Sequence, residues 1–282
     1  MASARSTKCD TLFYGEWNVW YALVASAFCK VMHMATSFGA LCTDFYVNQK
    51  LSLKMDLPSE RESVLHFFDR VRKTVPAMKR FRRYAEELAL ESSRREAEYS
   101  WLALRRNSIR SGHVNPTSME AAHKLHRLIL QTSPYHLTLS PLDVDYLELQ
   151  YGFDFEASGN HDDLVYEALF ADTPLGNLLD LPSGKVLDVQ PVLGLSLNDS
   201  GTIQAYFEAK TRPRSRRGSS KAYRGEPISL MLSLRRYGPI DHVDDLPPMY
   251  DDLVQRADQL AADRFIPYFL APIARLITSS SS

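Results

Sequence analysis

The sequence predicts an α+β fold: an antiparallel or mixed sheet with helices mainly on one face. Three observations carry that expectation. Apolar and polar residues alternate in several segments, as they do in strands with one dry and one wet side. Segments with helical spacing lie between those strands, several opened by capping residues. The resulting order is strand, helices, strand, helix, strand, helix, hairpin, strand, helix, which lacks the regular βαβα alternation of a buried parallel sheet.

In chain order, Phe45, Val47, Leu51, Leu53, Met55 and Leu57 alternate with Tyr46, Asn48, Lys50, Ser52, Lys54 and Asp56, a half-buried strand. Ser59 and Glu62 then form the spacing of a capping box, followed by Val64, Leu65, Phe67, Phe68 and Val71 at helical intervals. Pro76 breaks this element, and a second helical stretch is expected through Met78, Phe81, Tyr84 and Leu88. "EYSWLAL" (98–104) reads as a strand and "NSIRSGHVNP" (107–116) as an irregular connection. Thr117 and Glu120 mark a capping box for a helix through Ala122, Leu125 and Ile129 that stops before Pro134.

"LELQYGFDFEASGNHDD" (147–163) continues as a strand with Leu147, Leu149, Tyr151, Phe153 and Phe155 on one side. Glu148, Gln150, Asp154 and Glu156 occupy its wet side, a pattern that needs no chemistry to explain it. Asn160 caps a helix over 161–171, with Asp162 and Asp163 where the helix dipole favours negative charge. A hairpin over 186–212 is expected to point Leu187, Val189, Leu193, Leu195, Leu197, Ile203, Ala205, Phe207 and Ala209 inward around an "NDSG" turn. A strand through Ile228, Leu230, Leu232 and Leu234 follows, then a helix or helix pair from Pro247 to Ile277 broken by Pro267 and Pro272. No fixed-period repeat is present in the sequence.

Residues 1–43 form a separate compositional zone with only five charged side chains, an N-terminal extension or apolar helix ahead of a single α+β domain over 44–282. Its uncharged run "WNVWYALVASAFC" (17–29) lacks the basic lead and cleavage site of a signal peptide. A span over 17–42 would bury Lys30 near its middle at about 2.5–3.5 kcal/mol, so membrane attachment is not the expectation. Three cysteines, all within the first 42 residues, offer neither a disulfide framework nor zinc spacing and suit a reducing, cytoplasmic setting.

A net charge of −1 conceals segregation. Residues 70–110 hold twelve Lys/Arg against five Glu, and residues 141–200 hold twelve Asp/Glu against one Lys. Either the two blocks face each other or they make a bipolar surface. The loop "TRPRSRRGSSKAYRGE" (211–226) adds Arg212, Arg214, Arg216, Arg217, Lys221 and Arg224. "RVRKTVPAMKRFRRY" (70–84) adds Lys79, Arg80, Arg82 and Arg83 among its seven cations, with Phe81 and Tyr84 interleaved. His123 and His126, three apart on one helix, are expected as a partly buried pair rather than metal ligands.

Asp188 on one hairpin strand and Glu208-Ala209-Lys210 on the next resemble the active-site pattern of the PD-(D/E)xK nucleases. That resemblance implies carboxylates holding Mg²⁺ and a lysine helping to activate or orient the attacking water. It covers about 25 residues; Leu187 stands where that pattern has a proline, and the helix expected after the lysine strand is missing. No Walker loop, G-x-G-x-x-G turn, H-E-x-x-H helix or G-x-S-x-G elbow occurs.

The expected role is therefore binding or assembly: a soluble interaction module without cofactor or metal, contacting an acidic protein or a nucleic acid through its basic segments. The alternative is a metal-dependent nuclease or phosphodiesterase built on Asp188, Glu208 and Lys210.

Overall fold

The computed structural model describes residues 42–58, 60–93, 97–179, 181–211 and 227–280. Nine antiparallel strands form one sheet in the order β2-β3-β4-β5-β1-β6-β9-β8-β7. They are β1 (Asp44–Leu53), β2 (Arg80–Arg83), β3 (Glu87–Glu91), β4 (Tyr99–Arg105), β5 (Ser108–Val114), β6 (Val144–Phe155), β7 (Val192–Ser196), β8 (Ile203–Lys210) and β9 (Ile228–Tyr237). The helices are α1 (Arg61–Thr74), α2 (Met119–His136), α3 (His161–Leu169), α4 (Leu246–Leu260) and α5 (Ala271–Ser280), with a π-helical stretch, Ala261–Leu270, joining the last two. The α+β class and the helices on one face follow the sequence expectation, and the pairing is antiparallel throughout.

The alternation read along β1 and β6 sets the core. Phe45, Val47, Leu51, Leu147, Leu149, Tyr151 and Phe153 are buried toward the helices, together with Leu230, Leu232 and Leu234 of β9. Phe67 and Val71 of α1, Ile129 and Leu130 of α2, and Tyr250 and Leu253 of α4 close over them. Phe265 packs against Phe153, Phe207 and Phe269 at centroid separations of 5.6, 6.0 and 5.5 Å. Burying such rings contributes roughly 1.5–3 kcal/mol each, which anchors the C-terminal helices to the sheet.

Five local expectations are corrected. The second helical stretch through Phe81 and Leu88 is instead the hairpin β2–β3, where Phe81 pairs with Leu90 and its ring lies tilted 5.7 Å from that of Phe68. The irregular connection is β5; its inward positions Ser111 and His113 are polar, so the strand period is hidden. Helix α2 is capped by Ser118, whose side chain accepts from the Ala121 amide, and runs past Pro134 to His136. Helix α1 starts at Arg61 after Glu60, whose side chain makes no cap bond, and Ser59, the expected cap, lies outside the described residues. The C-terminal prolines do not break their helix: Pro267 sits in the π-helical stretch, whose wider turn tolerates a missing donor. By contrast Asn160 caps α3 as read, accepting from the Asp162 amide.

The topology holds a repeat that the sequence does not display. Each half runs strand, helix, three-strand meander, helix: β1-α1-β3-β4-β5-α2 and β6-α3-β7-β8-β9-α4, with β2 an addition to the first. Each meander returns beside its opening strand, and the halves join along β1 and β6, giving a pseudo-twofold axis near the Asn48–Gln150 pair. Among the described residues no helix is long and apolar enough to cross a membrane.

Candidate binding face

Most polar groups on the helix-covered side are turned inward and engaged, the Gln49 amide nitrogen, His113 Nδ1 and the Ser133 hydroxyl excepted. His126 Nε2 lies 3.2 Å from the Val47 carbonyl and so carries the proton, leaving Nδ1 to accept from the Ser111 hydroxyl at 2.8 Å. The Gln49 carboxamide lies 2.9 Å from the same Ser111 oxygen. Alongside, His123 Nδ1 meets the Tyr250 hydroxyl at 2.8 Å, and the Tyr151 hydroxyl donates to Asp258 at 2.8 Å. Burial holds His126 well below the usual imidazole range and, with the Arg127 charge nearby, takes His123 down to about 4. Burial also raises Tyr151, Tyr250 and Asp258. His123 and His126 are thus a buried pair, deeper than the partial burial expected, and Ser111 and His126 are fully enclosed. These groups fix how α2 and α4 sit on the sheet.

The opposite side of the sheet is built differently. Strand register sets its outward side chains in rows that cross the sheet. The middle row runs Arg80, Glu91, Trp101, Gly112, Asn48, Gln150, Ser233, Tyr206, Gly194, one residue from each strand. Asn48 donates to Gln150 at 3.1 Å and Gln150 to Ser233 at 3.0 Å, so the seam of the two halves carries an amide ladder. At either end an aromatic ring lies flat: Trp101 over Gly112 and Tyr206 over Gly194. In the next row Tyr46 covers Gly152 in the same way. A Cβ at Gly112 or Gly152 would collide with these rings, which is why those central strand positions are glycine.

The row on the other side of the ladder is Arg82, Ala89, Ala103, Arg110, Lys50, Glu148, Arg235, Gln204, Ser196. It sets four cations against one acid. Arg235 pairs with Glu148 and lies over the rings of Tyr206 at 4.8 Å and Tyr146 at 5.5 Å. Burial works against the Arg235 charge, but Glu148 and Tyr237 raise its pKa above the ordinary guanidinium value. Lys50 stands 4.8 Å above the Tyr146 ring, and Tyr146 itself neighbours Tyr237 at 5.1 Å. Cations and aromatic rings therefore alternate across this half of the face.

The far end of the same face is acidic: Asp44 pairs with Asp154 across β1 and β6. Burial, then Asp154 and Asp44, push the Cys42 thiol there up to about 12, so it is not a reactive thiolate. Among the described residues no ion pair joins 70–110 to 141–200. Their strands lie toward opposite ends of the sheet apart from central β5 and β6.

Of the sequence candidates, Arg80 and Arg82 fall on this open face, Arg83 points to the other side, and Lys79 precedes β2. The basic segment is thus a short helix end and an edge strand, not one helix over 70–83. Arg212, Arg214, Arg216, Arg217, Lys221 and Arg224 lie outside the described residues. Glu208 and Lys210 share the open face and pair at 3.1 Å. Asp188 does not join them in a strand: it precedes β7, accepts from Gln190 at 2.7 Å, and lines a groove with Leu175 and Pro191. Among the described residues no three His, Cys, Asp or Glu side chains are placed to hold a metal ion.

Lys50, Arg110, Trp101, Tyr146, Tyr206 and Arg235 escaped the sequence reading as a site. Each sits at an outward position that alternation marks only as wet, and only register gathers them from six strands. The chain matches no protein-family model, and no curated protein is detectably similar to it.

Proposed function

We propose that the protein is a binding module whose open sheet face takes an extended polyanion, single-stranded nucleic acid being the ligand its chemistry fits best. The supporting observation is the Arg82–Arg110–Lys50–Arg235 row, flanked by the flat rings of Trp101 and Tyr206 on one side and by Tyr146 and Tyr237 on the other. Phosphates attract cations without regard to sequence, and unpaired bases stack on aromatic rings for about 1–3 kcal/mol each. The half-buried Asn48 and Gln150 side chains, steadied by the buried Ser233, offer amide groups between them for base edges. The acidic far end would repel the same ligand and so set its position on the sheet.

Fluorescence anisotropy of labelled oligo-dT and oligo-rU against the full chain at graded salt tests this reading. Binding should weaken with salt, and Lys50→Ala with Arg110→Ala should cost about tenfold and lower the salt slope by about one per lost phosphate contact. Trp101→Ala should weaken binding at unchanged slope. No binding at low salt, or binding indifferent to all three changes, would sink the assignment. The same mixtures with Mg²⁺ read out the alternative: oligonucleotide cleavage lost in Glu208→Ala would support a nuclease.

A further inference from the structure

The two edges of the sheet are not alike. Strand β2 presents Arg80, Phe81, Arg82 and Arg83, and charged side chains on an edge discourage another strand from adding. Strand β7, Val-Leu-Gly-Leu-Ser, carries no charge, and Val192, Leu193 and Leu195 are 56%, 57% and 41% exposed. Exposed leucines on an uncharged edge are the feature that soluble sheets ordinarily remove.

We infer that β7 is the seam of a homodimer in which two copies pair their β7 strands antiparallel about a twofold axis at Gly194. The backbone shows which groups are free. Ala209 donates to the Pro191 carbonyl at 3.0 Å and Leu197 donates to the Ile203 carbonyl at 2.8 Å, so odd residues of this segment bond inward to β8. The N–H and C=O groups of Val192, Gly194 and Ser196 therefore point outward. Pairing about Gly194 sets Gly194 against Gly194 and Val192 against Ser196 as hydrogen-bonded pairs. Leu193 then faces Leu195 of the second copy, twice, on the helix side of the sheet.

A second copy fits this edge better than any other strand described here. The V-L-G-L-S order is near-palindromic about its glycine, so the contact is self-complementary in register, apolar matching and absence of charge. Pairing β7 with β2 would set leucines against arginines and propagate head to tail without closing. The leucine-rich groove at the start of β7, lined by Leu175, Leu178, Leu179 and Pro191 and about 320 Å³ in volume, lies beside this edge. The twofold brings it toward the Leu197 end of the other strand, enlarging a contact that five residues alone would leave small.

The mass of the full chain by sedimentation equilibrium decides the matter. Wild type should weigh twice 32.1 kDa, and Leu193→Lys with Leu195→Lys, which sets like charges across the axis, should weigh 32.1 kDa with unchanged far-UV circular dichroism. Because those two side chains are already exposed, the variant retains its core. A Leu193→Cys, Leu195→Cys pair should form an intermolecular disulfide under oxidation, and Leu193→Cys alone should not, since 193 faces 195. A monomeric wild type overturns the proposal, as does a dimer indifferent to the lysines. A monomer whose Val192, Gly194 and Ser196 amides resist hydrogen exchange would also overturn it, assigning the edge to another segment of the same chain.

Discussion

The two sides of this sheet use polar residues to opposite ends. On the helix side, Gln49, Ser111, His126, His123, Tyr151 and Tyr250 are buried and hydrogen-bonded to one another, to backbone or to the half-buried Asp258, the Gln49 amide nitrogen being the exception in that set. Their hydrogen bonds are specific because the alternative, an orphaned group in a dry core, costs about 1–3 kcal/mol. On the open side, Lys50, Arg110, Arg235 and Trp101 are only half covered, and several lie beside rings rather than inside a network. The comparison teaches that polarity in a strand has two meanings: inward polar residues specify a packing arrangement, whereas outward ones in register compose a surface.

That contrast is open to attack, and the hardest blow falls on the covered side. His126→Ala should cost about 2–4 kcal/mol in urea unfolding, since it leaves a cavity in the core and removes one hydrogen-bond partner each from Ser111 and the Val47 carbonyl. A loss below about 1 kcal/mol would mean that the network specifies little.

Acid should act on the same side. His123 titrates near 6.5 when unfolded and at about 4 when folded, so the unfolded chain binds more protons between those values. Stability is therefore complete above about pH 6.5 and falls as pH drops toward 4, by up to roughly 3 kcal/mol from this group. His113 and His126 shift in the same direction, while Asp258, raised by burial, opposes them. Melting temperatures across that range check the sign; a flat profile would contradict neutral buried imidazoles.

On the open side the effects on stability should shrink. Gly112→Ala forces the Trp101 ring from its seat and should cost about 1–3 kcal/mol, the range of an overpacked site, with near-ultraviolet dichroism reporting the moved indole. Smallest of all, Lys50→Ala with Arg110→Ala should change stability by less than about 0.5 kcal/mol while cutting oligonucleotide affinity about tenfold. If the loss in stability matched that of His126→Ala, the two sides would not differ as described.

Much of the fold was legible in the residues. β1, β6 and β8 alternate between a buried and a wetter side, with Gln49 the one polar residue on the inner side of β1. The apolar residues read as inward on β9 are buried, although Ser229, Met231 and Ser233 on its other side are buried too. β5 was not legible, since Ser111 and His113 face inward, where His126 and the half-exposed Glu98 receive them. The hairpin β2–β3 was read as a helix because its apolar residues Phe81, Tyr84 and Leu88 also fit helical spacing. Leu187, Leu193 and Leu195, expected inward, are all exposed, Leu187 because β7 begins only at Val192 and the other two because β7 is the uncovered edge of the sheet. The candidate site was hardly legible: the basic stretch 70–84 pointed to Arg80 and Arg82 but not to the strands that extend their row.

The residues alone fixed the class and the inward-facing apolar sets of β1, β6, β8 and β9, because those follow from local periodicity and the cost of wetting apolar groups. Only the tertiary structure decided that Trp101, Lys50, Arg110 and Arg235 share one face, that the two halves repeat, and that β7 ends the sheet. Register between strands a hundred residues apart is a long-range property, and no short window of residues contains it.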